Sequence, residues 1–318
     1  MIGRRNRVHE SRFSAIVSIA LLATLLMGVT LAGTIVIGKP GGKPPVEPAN
    51  PAIAYIYRSG LCVMDADGSH ATEIYDGDTA ITNVNWAPDG SAIVFTSGYG
   101  AAIQRIDVDV VEGEPVGSNV MTLVSGSSCN GDFCGAPSWS PAGDEIAVVD
   151  GGNQGARLFM VPSTGGSQTT IYTAPSGHYL KFPTWDSDAS RIAVTDVDAP
   201  GQSLSLKIID RSTGEVLSTH LDGQFSTINH LDWARGEEII AFTGNTESGS
   251  EAVFILDLDT GEATQLVKPG GEPTWSPDNS EIAYQGVSHG RAVINKVDVD
   301  TGTITTLKSR ARGPDWKR

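Results

Sequence analysis

The chain has 318 residues, and its 22 Lys and Arg against 37 Asp and Glu leave a formal charge of -15 at neutral pH. Such acidity excludes a generic nucleic-acid binder, which presents a basic surface to phosphates. A hydrophobic fraction of 40% with 19% charged side chains supports a packed core, while 37 Gly and 17 Pro point to tight turns joining short strands rather than to helical bundles.

The N-terminal fifty residues form a separate object. Residues 1–13 carry Arg4, Arg5, Arg7 and Arg12, and residues 14–38 then run 25 positions without a charge. At about 1.5 Å rise per residue this is enough helix to cross a hydrocarbon core of about 30 Å. The arginines predict a cytoplasmic N-terminus and an exported remainder. A cleaved signal peptide is the competing reading, but its apolar stretch usually spans only about 7–15 residues. Thr30-Leu31-Ala32 is a poor cleavage site, and Thr34 stands where a lipoprotein signal would need Cys. The expectation is therefore a single-pass signal anchor over 14–38. Residues 39–51 (KPGGKPPVEPANP) read as a semi-extended spacer holding the next domain off the membrane. Residues 1–50 hold six Lys or Arg and two Asp or Glu, so the remainder has 16 positive and 35 negative side chains and a net charge of -19. That charge keeps the exported domain soluble and away from anionic membrane surfaces, and a basic partner is the sharper reading of it.

Repetition dominates the rest. All six tryptophans fall in one pattern: NVNWAPDGSAIVFTS around Trp86, APSWSPAGDEIAVVD around Trp139, FPTWDSDASRIAVTD around Trp185, HLDWARGEEIIAFTG around Trp233, EPTWSPDNSEIAYQG around Trp275 and a truncated GPDWKR around Trp316. Their spacings of 53, 46, 48, 42 and 41 residues match the four-strand blade period of propellers. Each repeat starts with a short apolar strand ending in Trp, turns through Pro-Asp-Gly or a variant, and continues in β-branched and aromatic residues. One Trp per blade at a fixed strand position reads as packing between blades. Residues 52–76 look like three strands of a repeat without the Trp strand, and residues 313–318 like a Trp strand with nothing after it. Pairing the two gives six four-stranded antiparallel blades, closes the ring, removes its free edges and accounts for a sequence that stops two residues after Trp316.

The W-[SA]-P-[DA]-[GN] turns at Trp86, Trp139 and Trp275, with Val63-Met64-Asp65-Ala66-Asp67-Gly68, resemble the WD-like repeats of six-bladed TolB-type propellers. The resemblance spans about 52–318 and implies an all-β six-bladed propeller of the cell envelope. Its wider group includes periplasmic envelope proteins, non-catalytic propellers of peptidase relatives and polysaccharide lyases. TolB carries an α/β domain ahead of its propeller, where this chain has the anchor and spacer.

Candidate chemistry is sparse. One G-x-S-x-G occurs at Gly286-Val287-Ser288-His289-Gly290, between two strands of one blade, where the helix of a nucleophile elbow has no room. The lyases suggested by the resemblance use histidines on one propeller face. His178, His230 and His289 precede or separate strands on what should be one rim, and they would make a metal site only by converging from three blades. Aspartate-rich turns such as Asp257-Leu258-Asp259-Thr260-Gly261 do not complete a calcium loop and suit hairpin capping instead. No metal and no cofactor are expected. Cys129 and Cys134 enclose four residues including Asn130-Gly131, close enough to bridge in an oxidising compartment, which leaves Cys62 as a buried free thiol.

Loops leading into the innermost strands, and those joining second to third strands, should gather on one face around the channel mouth. They hold Tyr99, Phe133, His178, Tyr179, Lys181, Phe182, Phe225, His230, His289 and Arg291, a set suited to recognising a protein, peptide or glycan of the envelope. The expected protein is a monomeric, membrane-anchored, extracytoplasmic propeller, periplasmic or extracellular, acting as a non-catalytic binding scaffold. The alternative is a metal-assisted polysaccharide lyase or glycan-active hydrolase at the channel mouth. A third reading, the sensor portion of an envelope complex with Arg4 to Arg12 meeting a cytoplasmic partner, is limited by a segment too short to fold alone.

Overall fold

The computed structural model describes residues 49–129, 134–151, 155–199, 203–245 and 249–318. The expected anchor, and the spacer up to residue 48, lie outside the described residues. Among the described residues no helix is long and apolar enough to cross a membrane.

Six four-stranded antiparallel sheets stand around one axis. Blade 1 contributes β1 (Ile53–Tyr57), β2 (Gly60–Met64) and β3 (Thr72–Asp76). Blade 2 is β4 (Ile81–Trp86), β5 (Ala92–Ser97), β6 (Ala102–Val111) and β7 (Glu114–Ser125). Blade 3 is β8 (Cys134–Trp139), β9 (Glu145–Asp150), β10 (Arg157–Pro162) and β11 (Thr169–Thr173). Blade 4 is β12 (His178–Trp185), β13 (Arg191–Asp198), β14 (Ser203–Asp210) and β15 (Val216–His220). Blade 5 is β16 (Thr227–Trp233), β17 (Ile239–Asn245), β18 (Ala252–Asp257) and β19 (Ala263–Val267). Blade 6 is β20 (Gly271–Trp275), β21 (Glu281–Ser288), β22 (Arg291–Asp298) and β23 (Ile304–Ser309). Finally β24 (Ala311–Trp316) pairs antiparallel with β1, with Ile53 opposite Trp316, and completes blade 1. The split blade expected from the two chain ends is therefore present.

The six Trp strands are innermost, and each packs against its neighbours on both sides around the axis. Six core clusters fill the six gaps between consecutive blades, and each contains one tryptophan. All six are at most 7% exposed. A buried aromatic of this size removes about 150–250 Å² from water, about 4–6 kcal/mol of gross transfer energy at about 25 cal/mol per Å². The aspartate-rich turns are caps: the Asp210 carboxylate accepts the Ser212 and Thr213 backbone N–H groups at 2.9 and 2.8 Å, and Asp298 accepts that of Thr301 at 2.7 Å.

A belt of hydrogen bonds closes the ring. The residue before each Trp reaches the next blade: Asp315 accepts the backbone N–H of Trp86 at 2.7 Å, Asn85 that of Trp139 at 2.8 Å, Thr184 that of Trp233 at 3.2 Å, Asp232 that of Trp275 at 2.6 Å and Thr274 that of Trp316 at 3.0 Å. At the remaining joint the Ser138 carbonyl accepts the Trp185 indole N–H at 3.1 Å. Asp315 also accepts the Asn85 amide at 3.0 Å, so blades 1, 2 and 3 are linked in one chain of polar contacts.

Cys129 and Cys134 form the expected disulfide, with Cα atoms 5.8 Å apart, and Cys62 is free and buried. Burial pushes the Cys62 thiol up to about 11, so it is protonated and unreactive in the folded protein.

Two predictions follow from this architecture. Asp315→Ala strands the Trp86 N–H and the Asn85 amide, and should cost about 2–5 kcal/mol in chemical denaturation. Thiol titration without reductant should find one reactive cysteine per chain, and only after unfolding; replacing Cys129 and Cys134 by Ala should cost about 2 kcal/mol, because the bridge closes a short loop.

Candidate functional site

Each innermost strand breaks its ladder at one place. The register with the second strand shifts between Thr82 and Asn85, Gly135 and Ser138, Lys181 and Thr184, Asn229 and Asp232, and Gly271 and Thr274, and β24 shifts at the equivalent point. The residue three before each Trp lies in the left-handed region: Asn83 (φ 51°), Ala136 (47°), Phe182 (50°), His230 (48°), Glu272 (51°) and Gly313 (60°). Four repeats place Pro directly after it, at 137, 183, 273 and 314. Proline has no N–H to give the ladder, so the strand bulges there. Left-handed backbone is unfavourable for side chains other than Gly, and five non-glycine residues sharing it mark a deliberately built ring.

All six bulge residues line one central cavity of about 460 Å³. From the bulges the lining continues past the Trp ends to Pro88, Pro141, Ser187 and Arg235 on the face that carries the Trp-following turns. Around the axis the bulge ring is lopsided. Phe182, His230 and Glu272 give consecutive blades 4, 5 and 6 bulky groups, while Gly313, Asn83 and Ala136 leave blades 1, 2 and 3 small ones. The Phe182 and His230 rings are 4.2 Å apart between centroids, and His230 Nε2 lies 3.9 Å from Glu272 Oε1. Burial lowers the His230 pKa against the opposing pull of Glu272, so the imidazole is neutral at pH 7, with one donor and one acceptor nitrogen. Its Nδ1 is buried without a partner.

The belt carboxylates Asp232 and Asp315 line the same cavity. Burial raises Asp315 to about 7, against the lowering effect of the Trp86 N–H and the Asn85 amide. One oxygen of Asp232 accepts the Trp275 N–H, and the other pairs with the Arg318 guanidinium. The Trp86 and Trp139 indole nitrogens, on two residues lining the cavity, are also buried without a partner.

Of the sequence-derived residues, the structure brings Phe182 and His230 together in this cavity, with Lys181 beside them in the chain and exposed. Tyr99 is 80% exposed in the β5–β6 turn, and Tyr179 is half-exposed on β12. His289 and Arg291 are exposed at the β21–β22 turn, so the G-x-S-x-G serine ends one strand of a hairpin. His178 is held within its own blade, 2.9 Å from Asp196 and 3.7 Å from Asp198. Phe225 is buried in the core against Phe242 and Phe254, with centroids 5.2 and 4.9 Å away. Phe133 lies outside the described residues. Among the described residues no group of three or more His, Cys, Asp or Glu is placed to hold a metal ion. Asn83, Asp232, Glu272, Arg312, Asp315 and Arg318 line the cavity without having been singled out in the sequence; the recurring Pro two before Trp was the available signal.

No protein-family model matches the chain. Among solved structures it is similar to TolB from Acinetobacter baumannii (TM-score 0.65, 18% identity, 84% of this chain and 66% of that one) and to a TolB homologue from Agrobacterium tumefaciens (0.59, 16%, 83% and 91%). It also resembles an oligogalacturonate lyase in complex with manganese (0.50, 13%, 83% and 75%). The chain thus spans slightly less than two thirds of the Acinetobacter protein. These likenesses establish a TolB-like propeller fold, an architecture that carries unrelated functions.

Two substitutions separate core from cavity. Phe225→Ala should cost about 3–5 kcal/mol in thermal or chemical denaturation, and Phe182→Ala, at the half-buried cavity wall, a smaller amount. Because the native pKa of Asp315 lies above its unfolded value, the folded protein binds more protons between about pH 4 and about pH 7, and this group's contribution is full below that window and lost as pH rises through it. Asp315→Asn should flatten that decline in denaturant midpoints measured across the window.

Proposed function

We propose that the protein is a membrane-anchored, extracytoplasmic propeller that binds an envelope partner without chemically converting it, and that it takes an extended segment of that partner into the central channel. The observation carrying this reading is the cavity of about 460 Å³ walled by all six innermost strands, a volume in the range of ligand-sized sites. Its wall combines an aromatic ring, a neutral imidazole and a half-buried carboxylate at one level. Those groups suit a chain bearing both apolar and hydrogen-bonding atoms.

Export is supported by the Cys129–Cys134 disulfide, which persists in oxidising compartments. Anchoring is supported by four arginines ahead of 25 uncharged residues. The spacer over 39–51 would give the propeller a reach of about 40 Å from the membrane at about 3.1 Å per residue.

The test is site-specific photocrosslinking with the full-length chain in its native membranes. A crosslinking residue at position 83, on the cavity wall, should trap a discrete protein partner, and one at Val216, exposed on β15, should not. Phe182→Ala with His230→Ala should reduce the position 83 product by about tenfold or more, the order expected when hot-spot side chains are truncated. Equal trapping at both positions would overturn the channel as the binding site.

A further inference from the structure

The bond between Arg318 and Asp232 departs from the rest of the belt. Every other hydrogen bond of the belt joins neighbouring blades, whereas Arg318 follows β24 of blade 1 and Asp232 belongs to β16 of blade 5, with blade 6 between them. Arg318 lines the cavity and makes the contact there. Lys317, next to it, places its ammonium 5.8 Å from the centre of the Trp86 ring.

The receiving carboxylate is rigid and partly spent. Asp232 Oδ2 accepts the Trp275 N–H at 2.6 Å, and the Asp232 carbonyl accepts the Trp275 indole at 3.1 Å. Both oxygens of the other buried belt carboxylate, Asp315, are taken by Asn85 and Trp86. Asp232 Oδ1 is thus the belt carboxylate oxygen left for something other than a neighbouring blade, and a guanidinium occupies it. With a residue only 8% exposed, that oxygen selects strongly for a charged donor, because a buried carboxylate without one is costly. Arg235 and Arg312 also line the cavity but are exposed, so solvent and salt screen their charge.

We infer that the Asp232 end of the channel is a guanidinium site, built to take an arginine side chain from an extended segment of a partner, with Arg318 of the chain itself filling it meanwhile. The inference rests on the channel being the binding site. An arginine suits the site better than a lysine, because its planar fork keeps its charge and spends several donors in fixed directions. The net charge of -19 on residues 51–318 favours the approach of a cationic segment.

The probe is a fluorescent acetyl-Ala-Arg-Ala-amide, with a citrulline-containing peptide as its neutral counterpart, titrated by anisotropy against the full-length chain in detergent micelles. Arg318→Ala, which vacates Asp232, should bind the arginine peptide about tenfold or more tightly than the unaltered chain and discriminate against citrulline, as expected when a competing charge-assisted contact is removed. Adding Asp232→Asn should abolish the gain. Arg318→Gln is the second variant should the alanine form fail to fold, with near-ultraviolet circular dichroism as the check. If Arg318→Ala lowers the unfolding midpoint and gains no affinity, Arg318 is a strut across the channel and the inference falls. Equal binding of arginine and citrulline peptides overturns it too. Crosslinking at position 83 without arginine selectivity would overturn this inference alone and leave channel binding standing.

Discussion

Closure of the ring by one repeated hydrogen bond is the constraint on which the rest depends. A Trp strand cannot pack against its neighbours unless the backbone N–H at its end is satisfied, and the side chain one position earlier in the preceding blade supplies the acceptor at five of six joints. A buried N–H left without a partner costs free energy comparable to what a whole polar contact contributes. The tryptophans supply apolar area between blades, and the belt fixes the rotation of each blade relative to the next. Together they hold six innermost strands around an axis that the side chains do not fill.

The wall around that axis is shaped by the bulges. A flat inner strand would point successive residues to the two faces of its sheet, toward the neighbouring blades, and the bulge at the residue three before Trp brings a further residue to the cavity wall. Because the backbone there tolerates different side chains while the belt stays the same, the chemistry of the wall is free to differ from blade to blade. Phe182, His230 and Glu272 on one half and Gly313, Asn83 and Ala136 on the other are the outcome. Stability resides in positions that repeat, and selectivity in those that do not.

The same division explains what was legible in the sequence. Trp spacing, turn residues and the incomplete blades at the two ends determine a six-bladed ring with a composite first blade, because those features recur and recurrence is visible in a string of letters. The cavity was less legible because its residues share a place and not a letter. Phe182 and His230 could be found as an aromatic and a histidine near the channel, whereas Asn83, Glu272 and Asp232 look like ordinary strand polar residues until the ladder shift is seen. Phe225 illustrates the converse: it sits in a connector just ahead of β16, where an aromatic suggests recognition, but its ring completes a core cluster with Phe242 and Phe254. His178 reads as a rim histidine and is instead held by carboxylates of the adjacent strand, which only the register of β12 against β13 reveals.

The split first blade bears on how the protein is made. Asn85 and Asp315 meet across 230 positions of sequence, so the strand that finishes the ring leaves the ribosome after every other strand of the six blades. At about 5–20 residues per second the earlier blades wait many seconds with the inner edge of β1 unpaired and the seam between blades 1 and 6 open. Such an intermediate is a template for pairing with its own kind. Assembly of this propeller therefore finishes in a single clasp, and until β24 reaches β1 the two parts of blade 1 have to be kept from pairing with other copies.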